Sequence, residues 1–350
     1  MTGVAVAVAG VGLVTSLGLD AESTCAALRA SVTNPSITRF RGRDGQWIHA
    51  HQVELDAPWV GVSKLVQMAL LAAEECLVGA RDAPAGDALP VLLCTAEQQR
   101  PGRLEDLDDA LFDGIRSGLG VRVDEQHSAI FPLGRVAALA ALERARRLIA
   151  EQGCGQVLIV AADGLLSWPA LKHYVDLDRV LREDNSNGFM PGEGAGALLI
   201  AAAHADDTLR CTGIGAGIEP APVLSGTPLR GDGLTAAITQ AMREAGLLAD
   251  DVDFIVADIS GEQYFFKEAA LARSRALRGH VRTLDLWHPA EGIGEAGALA
   301  GVTTIAAAWT AMRKGYACGP RVLVHGSDDA SYRFAAVLCR PDTQAVEEMS

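Results

Sequence analysis

The sequence contains no apolar run of the roughly 18 residues that a membrane-spanning helix requires. Its opening stretch, MTGVAVAVAGVGLVTSLG, is mostly apolar, but it starts without basic residues and is interrupted by glycine and threonine. A secretory signal peptide carries a positively charged start before its apolar segment. We therefore interpret this stretch as a first strand and turn, and we expect a cytoplasmic protein that does not bind membranes.

Paired cysteines and an excess of basic residues are also missing. The seven cysteines are scattered, odd in number, and form no C-x-x-C pair. This pattern is typical of a reducing cytoplasm and indicates neither a disulfide framework nor a zinc site. Acidic residues outnumber lysine and arginine by 44 to 30, which gives a net charge of −14. Because nucleic acids bind concentrated basic surfaces, we expect no nucleic-acid partner, and we also expect no metal and no cofactor.

The length and composition favour a large core in two parts. A chain of 350 residues is at the upper limit for one hydrophobic core, and 49% of these residues are hydrophobic. A polar break, HADD, lies at residues 204–207. We therefore predict two closely packed halves, residues 1–205 and residues 206–350.

Short strand-like runs alternate with longer helical segments along the chain. We predict strands at Val4–Ala9, Val91–Cys94, Gln156–Ala161, Ala197–Ala203, Leu209–Gly217, Asp253–Ala257, Val281–Leu286, Arg321–Val324 and Phe334–Leu338. We predict helices at Leu65–Val78, Arg135–Ala150, Leu234–Ala245, Phe265–Leu277 and Ala296–Met312. This alternation is typical of an α/β protein with largely parallel sheets. The last of these helices is apolar on nearly every side, which predicts a helix sandwiched between sheets.

Five sequence blocks resemble, in the right order, the β-ketoacyl synthases of the thiolase-like superfamily. The blocks are VAVAGVGLVTSLG, QVLIVAADGLLSWPAL, NGFMPGEGAGALLI, GDGLTAAITQAMREAGLLADDVDFIVAD and GIGEAGALAGVTTIAAA. The third block resembles the family's Gly-Phe, two-residue spacer and Gly-Glu-Gly-Ala-Gly motif. Because the blocks together span most of the chain, the resemblance implies an α/β protein with the thiolase-like fold, layered αβαβα from two similar halves.

The resemblance also implies a role for Glu193, which stands among Gly192, Gly194 and Gly196. Glycines are needed where two backbones approach too closely for a Cβ atom. In the family fold this glutamate is a buried structural carboxylate that ties neighbouring loops together. A general base is the alternative, but a carboxylate held by backbone N–H groups has a lowered pKa and is a poor base. We therefore favour the structural role.

The nucleophile of the family is absent from the matching segment, FPLGRVAALAALERARRLI. A condensing enzyme of this family needs a cysteine at the start of a buried helix, where the helix N-terminus lowers the thiol pKa. The window Phe131–Arg135 contains no nucleophile in any register, and the position falls on Arg135 or on Phe131. Ser128 is the nearest hydroxyl. It is either a replacement nucleophile or, as we favour, an ordinary loop residue.

Both histidines of the family are absent as well. The resemblance places the first near Ile259 and the second at Gly294. His288 lies six residues before Gly294, and it is either a displaced catalytic residue or a loop histidine. The last glycine-rich loop of the family is replaced by HGSDDASYRF, residues 325–334. The resemblance therefore predicts a chain without condensing activity.

Polar side chains stand near these lost positions. The fold that the resemblance implies would bring one set of residues to a common pocket: Ser128, Phe131, Arg135, Phe189, Asp258, Glu262, His288, Glu291, Glu295, His325 and Asp328. Carboxylates with histidines are able to bind a metal or to carry out acid–base chemistry. The alternative is that these are solvated or paired loop residues. Because no tight ligand spacing such as His-x-x-x-His is present, we predict no metal site.

Two groups of arginines are candidates for a surface that binds an acidic acyl carrier protein. They are Arg144, Arg146 and Arg147 at one helix end, and Arg273, Arg275, Arg278 and Arg282 at another. The alternative is that they are solvated residues that complement the helix dipole. We favour this alternative.

Three functions are compatible with the sequence. The first is a non-catalytic partner subunit in fatty-acid or polyketide-type biosynthesis, which forms a heterodimer with a complete β-ketoacyl synthase. The second is an acyl-transfer or related enzyme with its centre relocated to the acidic and histidine loops. The third is a structural, acyl-binding homodimer. We expect a dimer, because the strand VLLC and the helical segment VAALAAL lie near a dimer contact in the implied fold.

Overall fold

The computed structural model describes residues 4–43, 45–80, 88–204, 207–279 and 283–341. The strands are β1 (Val6–Val14), β2 (Ser36–Arg41), β3 (Trp47–Ala50), β4 (Val91–Cys94), β5 (Ala129–Phe131), β6 (Gln156–Gly164), β7 (Glu193–Ala202), β8 (Arg210–Ile218), β9 (Phe254–Ala257), β10 (Asp285–Trp287), β11 (Arg321–Ser327) and β12 (Tyr332–Cys339). The helices are α1 (Ala21–Arg29), α2 (Gly61–Val78), α3 (Leu107–Gly118), α4 (Ala137–Gln152), α5 (Trp168–Asp176), α6 (Asp232–Ala245), α7 (Gln263–Ala276), α8 (Ala290–Ile293) and α9 (Ala300–Lys314). The predicted strand at Val281–Leu286 begins outside the described residues, and its described part is β10.

The strands outside the small β2–β3 hairpin form one continuous ladder of ten strands, which divides into two five-stranded sheets where β1 meets β8. The first sheet has the order β5-β4-β6-β7-β1, and the second has the order β10-β9-β11-β12-β8. Counted along the chain, the five strands of each sheet lie in the order third, second, fourth, fifth, first. Among the described residues, β1 and β8 join the two sheets through the antiparallel pairs Val6 with Cys211 and Ala7 with Arg210. The predicted boundary, at residues 205 and 206, lies outside the described residues.

The two sheets are mixed, so the prediction of largely parallel sheets was wrong. The strands β4 and β9 pair in parallel with both of their neighbours. The strands β7 and β12 pair antiparallel with both of theirs. A strand that is buried on both faces reads as a continuous apolar run, as Leu198–Ile200 of β7 does, whichever way its neighbours point. The sequence pattern therefore marks these strands without giving their direction.

Helices lie on both outer faces of the sheets and between them. The central helices α4 and α9 each contact both sheets: α4 packs on β4, β6, β7 and β12, and α9 packs on β1, β7, β9 and β11. The first sheet is covered on its outer face by α2, and the second by α6 and α7. Every residue from Gly301 to Met312 of α9 is buried, as its apolar sequence predicts. The layering is αβαβα.

The two central helices begin in the same unusual way. Each is preceded by a 3₁₀ turn, Gly134–Val136 before α4 and Gly297–Leu299 before α9. Gly134 has φ 52° and Gly297 has φ 56°, a conformation that glycine adopts at little cost. The two turns contact each other between the sheets. They lie beside the carboxyl ends of β6 and β11, the place where open α/β sheets carry their functional residues.

In the described part of the chain, no helix combines the length and the apolar character that crossing a bilayer demands.

Candidate functional site

A cluster of buried ion pairs occupies the junction of the two helix starts. Four arginines have side chains that are at most 6% exposed: Arg100, Arg135, Arg179 and Arg333. Eight carboxylates surround them: Glu97, Asp163, Asp258, Glu262, Glu268, Glu295, Asp328 and Asp329. We call these twelve residues the buried ion-pair cluster. Charges at such depth are stable only when they are paired and hydrogen-bonded.

Arg135 stands at the start of α4, at one of the two positions, the other being Phe131, where the resemblance places the nucleophile. Its Nε lies 3.2 Å from Asp258 Oδ2 and 3.3 Å from Glu295 Oε2, and its Nη2 donates to the carbonyl oxygen of Asp258 at 2.8 Å. Its guanidinium also lies 4.2 Å from the ring centroid of Phe265. Burial lowers the pKa of Arg135, but these carboxylates outweigh burial and raise it, so the side chain is a permanent cation.

Glu295 connects the two helix starts. Its Oε1 accepts a hydrogen bond from Gly297 N at 3.0 Å, while its Oε2 lies beside Arg135. Burial raises the pKa of Glu295 to about 7, and the charge of Arg135 opposes this shift only in part. Glu295 therefore titrates near neutral pH. The neighbouring position, Gly294, to which the resemblance assigns the second histidine, has no side chain to direct into the cluster.

The carboxyl ends of β4 and β6 supply a second part of the cluster. Asp163 pairs with Arg100 and accepts a hydrogen bond from Ala298 N at 2.8 Å. A Cβ added to Gly297 would lie only 2.0 Å from Asp163 Oδ2, and one added to Gly134 would lie 2.0 Å from Glu97 Oε1. Both glycines therefore leave room for a carboxylate against a helix start.

Arg179, in the loop after α5, and Arg333, in β12, complete the cluster. Arg179 forms bidentate pairs with Glu262, at 2.7 and 2.8 Å, and with Asp329, at 2.6 and 2.9 Å. Arg333 donates to Glu268 Oε1 at 2.7 Å and to Asp328 Oδ1 at 3.3 Å. Planar bidentate pairs of this kind are the strongest that arginine makes with carboxylates.

The cluster contains more carboxylates than arginines, and burial raises the pKa of several of them. The pKa is raised for Glu97, Glu268, Glu295 and Asp328, and it reaches about 7 for Asp328. Arg179 overcomes burial at Asp329 and lowers the pKa of that carboxyl. At Glu295 and Asp328, whose pKa is about 7, a retained proton reduces the excess of negative charge in the cluster.

The cluster has almost no free space. A cavity among Glu97, Arg135, Arg179, Glu295 and Asp329 has a volume of about 10 Å³, room for about one water molecule. Its lining contains no thiol and no serine or threonine hydroxyl. The arrangement is suited to holding the helix starts and strand ends together.

Three residues of the predicted pocket lie at or near this junction in structural roles. Phe189 is buried, packs edge to face on Tyr174 at 5.0 Å, and borders the cavity of the cluster beside Arg179. Phe131 ends β5 and packs against the central core. His325 is buried in β11, and its Nδ1 has no hydrogen-bond partner among the described residues. Burial lowers the pKa of His325 to about 4, with Asp258 opposing, so this histidine is neutral at pH 7.

The remaining predicted pocket residues lie elsewhere. Ser128 lies at the amino end of β5, away from the helix starts, where its Oγ accepts from Val91 N at 2.9 Å and donates to Asp124 O at 2.6 Å. His288 and Glu291 line a separate cavity near α1. The expectation that all these residues converge on one pocket was therefore wrong, because β10 and the turn after it point their side chains toward α1.

Ile259, near which the resemblance places the first family histidine, has an apolar side chain. Ile259 is 2% exposed and packs in the core beneath α7. The residue before it, Asp258, is the one that enters the cluster: its Oδ2 accepts from Ser327 N at 3.0 Å and lies beside Arg135.

Glu193 lies beside the cluster in a separate set of contacts. It is 7% exposed, and its Oε1 accepts from Val53 N at 2.9 Å and from Lys64 Nζ at 2.6 Å. The glycines around it sit against other parts of the chain. A Cβ on Gly192 would lie 2.3 Å from Ile293 O, one on Gly194 2.6 Å from Val14 O, and one on Gly196 2.7 Å from Val302 Cγ1. Glu193 thus ties the β3–α2 connection to the start of β7.

Among the described residues, no group of three or more His, Cys, Asp or Glu side chains has an arrangement that would hold a metal ion. The arginine groups are partly neutralised: Arg146 pairs with Glu143 and Glu244, Arg147 with Glu143, and Arg275 with Asp232. Arg282 lies outside the described residues.

Several cluster residues were missed by sequence reasoning: Glu97, Arg100, Asp163, Arg179, Glu268, Asp329 and Arg333. The sequence pattern could have predicted two of them. Glu97 and Asp163 lie at or just after the carboxyl ends of strongly apolar strands, where functional residues of α/β sheets gather.

No family model matches the chain. One curated relative, a protein of Streptomyces coelicolor named as a candidate polyketide β-ketoacyl synthase, is 31% identical over 156 residues. That alignment covers 43% of this chain and 37% of the relative's length. The chain thus matches well under half of this relative.

Solved structures match over almost the whole chain. The ishigamide ketosynthase/chain length factor is similar with a TM-score of 0.80 at 17% identity, covering 97% of this chain and 99% of that one. A type II polyketide acyl carrier protein in complex with its ketosynthase gives a TM-score of 0.79 at 18% identity, covering 97% and 100%. A β-ketoacyl synthase from Burkholderia phymatum gives 0.75 at 14%, covering 96% and 99%. The chain therefore has the thiolase-like fold of the ketosynthases and chain length factors.

Proposed function

We propose that this chain is a non-condensing subunit that pairs with a complete ketosynthase, as a chain length factor does, in polyketide or fatty-acid type biosynthesis. The observation that carries the proposal is Arg135. It occupies the helix start where the family's nucleophile is expected, and it is held there by Asp258 and Glu295.

Arg135 is incompatible with acyl-enzyme chemistry. A guanidinium that remains protonated has no free electron pair with which to attack a thioester. The neighbouring positions hold Ile259 and Gly294, so the donors that would stabilise a developing enolate are missing, and loss of one such donor typically costs about 10²–10³ in rate. The closed packing of the buried ion-pair cluster supports a role in stabilising the fold.

A partner subunit needs a surface for pairing, and we assign that surface to the edge of the first sheet. Within the described ranges of the chain, β5 pairs with β4 alone, and its three residues Ala129, Ile130 and Phe131 are partly exposed. An open, apolar edge strand is normally covered. Two of the similar solved structures are ketosynthases with a chain length factor or a carrier protein. We favour a complete ketosynthase as the partner; a second copy of this chain is the alternative.

The absence of condensing chemistry is tested on the isolated protein. We would incubate it with acyl-carrier and acyl-CoA donors and examine it by mass spectrometry, with a malonyl decarboxylation assay in parallel. We expect no acyl adduct and no decarboxylation above background. Arg135→Cys should gain at most slow self-acylation. The family's cysteine and two histidines act as a unit, and a thiol alone does not replace the missing histidines. An adduct on any native residue would instead support the relocated enzyme.

The partner role is tested by co-expression with a complete ketosynthase encoded near it. Light scattering should show a stable heterodimer, and the ketosynthase should change its yield or product length when this chain is present. Ile130→Lys on β5 should abolish the pairing, and Val78→Lys, an exposed residue at the end of α2, is the matched control. A homodimer of about twice 36.6 kDa that does not bind the ketosynthase would instead favour the third function, an acyl-binding homodimer.

A further inference from the structure

The molecule has a second, much larger cavity that the proposed function does not use. Its volume is about 410 Å³, within the range of about 300–1,000 Å³ that is typical of small-molecule sites. It lies between the end of α1, the segment from β10 to α8, and the middle of α9. A smaller space bordered by Pro289 and Glu295 separates it from the buried ion-pair cluster, and this space holds about one water molecule.

The floor of the cavity is apolar. Cys25 and Leu28 of α1 face Ala307 of α9 across it, and both cysteine and alanine belong to or border the central core. Burial raises the pKa of Cys25 to about 11, so its thiol stays protonated at neutral pH. A ligand here would be held without a covalent bond.

One wall is aromatic. The rings of Trp287 and Tyr316 lie 6.3 Å apart with planes tilted by 30°. Trp287 is held from behind by Phe254, whose ring centroid is 4.7 Å away. Such a wall offers a face on which a planar ring can stack.

A free cation stands at the same side of the mouth. The guanidinium of Arg29 lies 4.3 Å from the ring centroid of Tyr316, and no carboxylate in the described part of the chain pairs with it. This contrasts with the arginines of the buried ion-pair cluster, each of which has a carboxylate partner. Across the mouth, the Nδ1 of His288 lies 3.1 Å from Glu291 Oε1, so that side already holds its own negative charge.

From these observations we propose that this cavity is a binding site for a planar aromatic molecule with one acidic group. The ring stacks on the wall of Trp287 and Tyr316 above the floor of Leu28 and Ala307. The acidic group pairs with Arg29, on the side away from Glu291. Charge-assisted hydrogen bonds to arginine supply the orientation, and burial of the ring supplies most of the affinity.

The test uses two fluorescent probes that differ in charge. Anilinonaphthalene sulfonate carries an anionic group, and phenylnaphthylamine has the same ring system without it. We expect the full chain to bind the sulfonate at one saturable site and to bind the neutral probe more weakly. Arg29→Gln should weaken the sulfonate about tenfold, the loss of one charge-assisted contact, and should leave the neutral probe unchanged. Arg29 is exposed, so this variant will fold.

Two further variants decide where the probe binds. Ala307→Leu fills the floor and should abolish binding of both probes, with its melting temperature measured to show that it is folded. Arg273→Gln removes an exposed arginine on α7 and should change nothing. The proposal is overturned if Arg29→Gln weakens both probes equally, if it weakens neither, if Arg273→Gln has the same effect, or if folded Ala307→Leu retains full affinity.

Discussion

The starts of the two central helices share one backbone geometry but differ in the charges that they hold. At the start of α9, Asp163 and Glu295 accept hydrogen bonds from Ala298 N and Gly297 N. The start of α4 has the carboxylate of Glu97 beside Gly134, but it also holds the cation of Arg135. Because a helix N-terminus carries a partial positive charge, the carboxylates are favourable there by themselves and Arg135 is not.

The difference shows how the unfavourable helix start is stabilised. Arg135 depends on Asp258 and Glu295, and Glu295 also serves the start of α9. The two helix starts are therefore energetically coupled through one carboxylate. A substitution at the start of α4 should therefore also change the stability of the start of α9, which ordinary helix capping would not produce.

The largest expected effect comes from removing the cation. Arg135→Ala leaves Asp258 and Glu295 buried without their partner, and breaking a buried ion pair in this way typically costs about 3–5 kcal/mol. Urea denaturation measures this loss. Arg147→Ala, which breaks an exposed pair with Glu143, is the control and should cost under about 1 kcal/mol. Equal losses in the two variants would show that the cluster does not stabilise the fold.

Glu193→Ala tests the structural role of Glu193, a carboxylate that lies next to the start of α9 but is part of neither α4 nor α9. Its removal leaves Lys64 and Val53 N without an acceptor, and we expect a loss of about 3 kcal/mol in the free energy of unfolding. Glu193→Gln keeps an acceptor for Val53 N and should lose less. An unchanged melting temperature for a soluble Glu193→Ala variant would rule out the structural role.

The two glycines allow a matched comparison of the helix starts. Gly297→Ala should cost about 2 kcal/mol, because alanine is strained at positive φ and its Cβ meets Asp163. Gly134→Ala has the same backbone strain but should cost less. Its Cβ meets Glu97, whose Oε2 makes only a 3.5 Å ion pair with Arg100 among the described residues, so this side chain moves more easily than the hydrogen-bonded Asp163. Thermal unfolding of both variants measures the difference, and a larger loss for Gly134→Ala would contradict it.

The smallest effect is a change in pH dependence. The pKa of Glu295 is about 7 in the folded protein, above its unfolded value, so the folded state holds this proton more tightly. The contribution to stability is present below the unfolded pKa of about 4.3 and is lost as pH rises through about 7. Glu295→Gln keeps a neutral side chain at every pH. The stability of the native protein should therefore fall relative to this variant between pH 5 and pH 8.

Denaturation curves at pH 5, 6, 7 and 8 make this comparison. Burial lowers the pKa of His51 to about 4, so this histidine contributes stability above its unfolded pKa and loses it as pH falls. The opposing trend is present in both proteins and cancels in their difference. Parallel pH profiles for the native protein and Glu295→Gln would show that Glu295 does not titrate in this range.

The sequence predicted the layers of the fold better than it predicted the site. The apolar sequence identifies α9, because a helix that is buried on every side has small or apolar residues at nearly every position. Buried charges leave no such mark, since charged residues are normally at the surface. Arg179 meets Glu262 from 83 residues away and Asp329 from 150 residues away, and no local spacing connects them. Arg135 was found only because the resemblance pointed to its position.

The long sequence separations in the buried ion-pair cluster also bear on how the chain folds. Arg135 is 123 residues from Asp258; the first precedes α4 and the second follows β9 of the second sheet. Closing such distant contacts requires both sheets to be largely in place, so the cluster should form after the folding transition state. Loss of Arg135 should then speed unfolding and leave the refolding rate almost unchanged, which stopped-flow measurements in urea can distinguish. The cluster should therefore stabilise the native state kinetically, because it slows unfolding and so lengthens the lifetime of the folded protein.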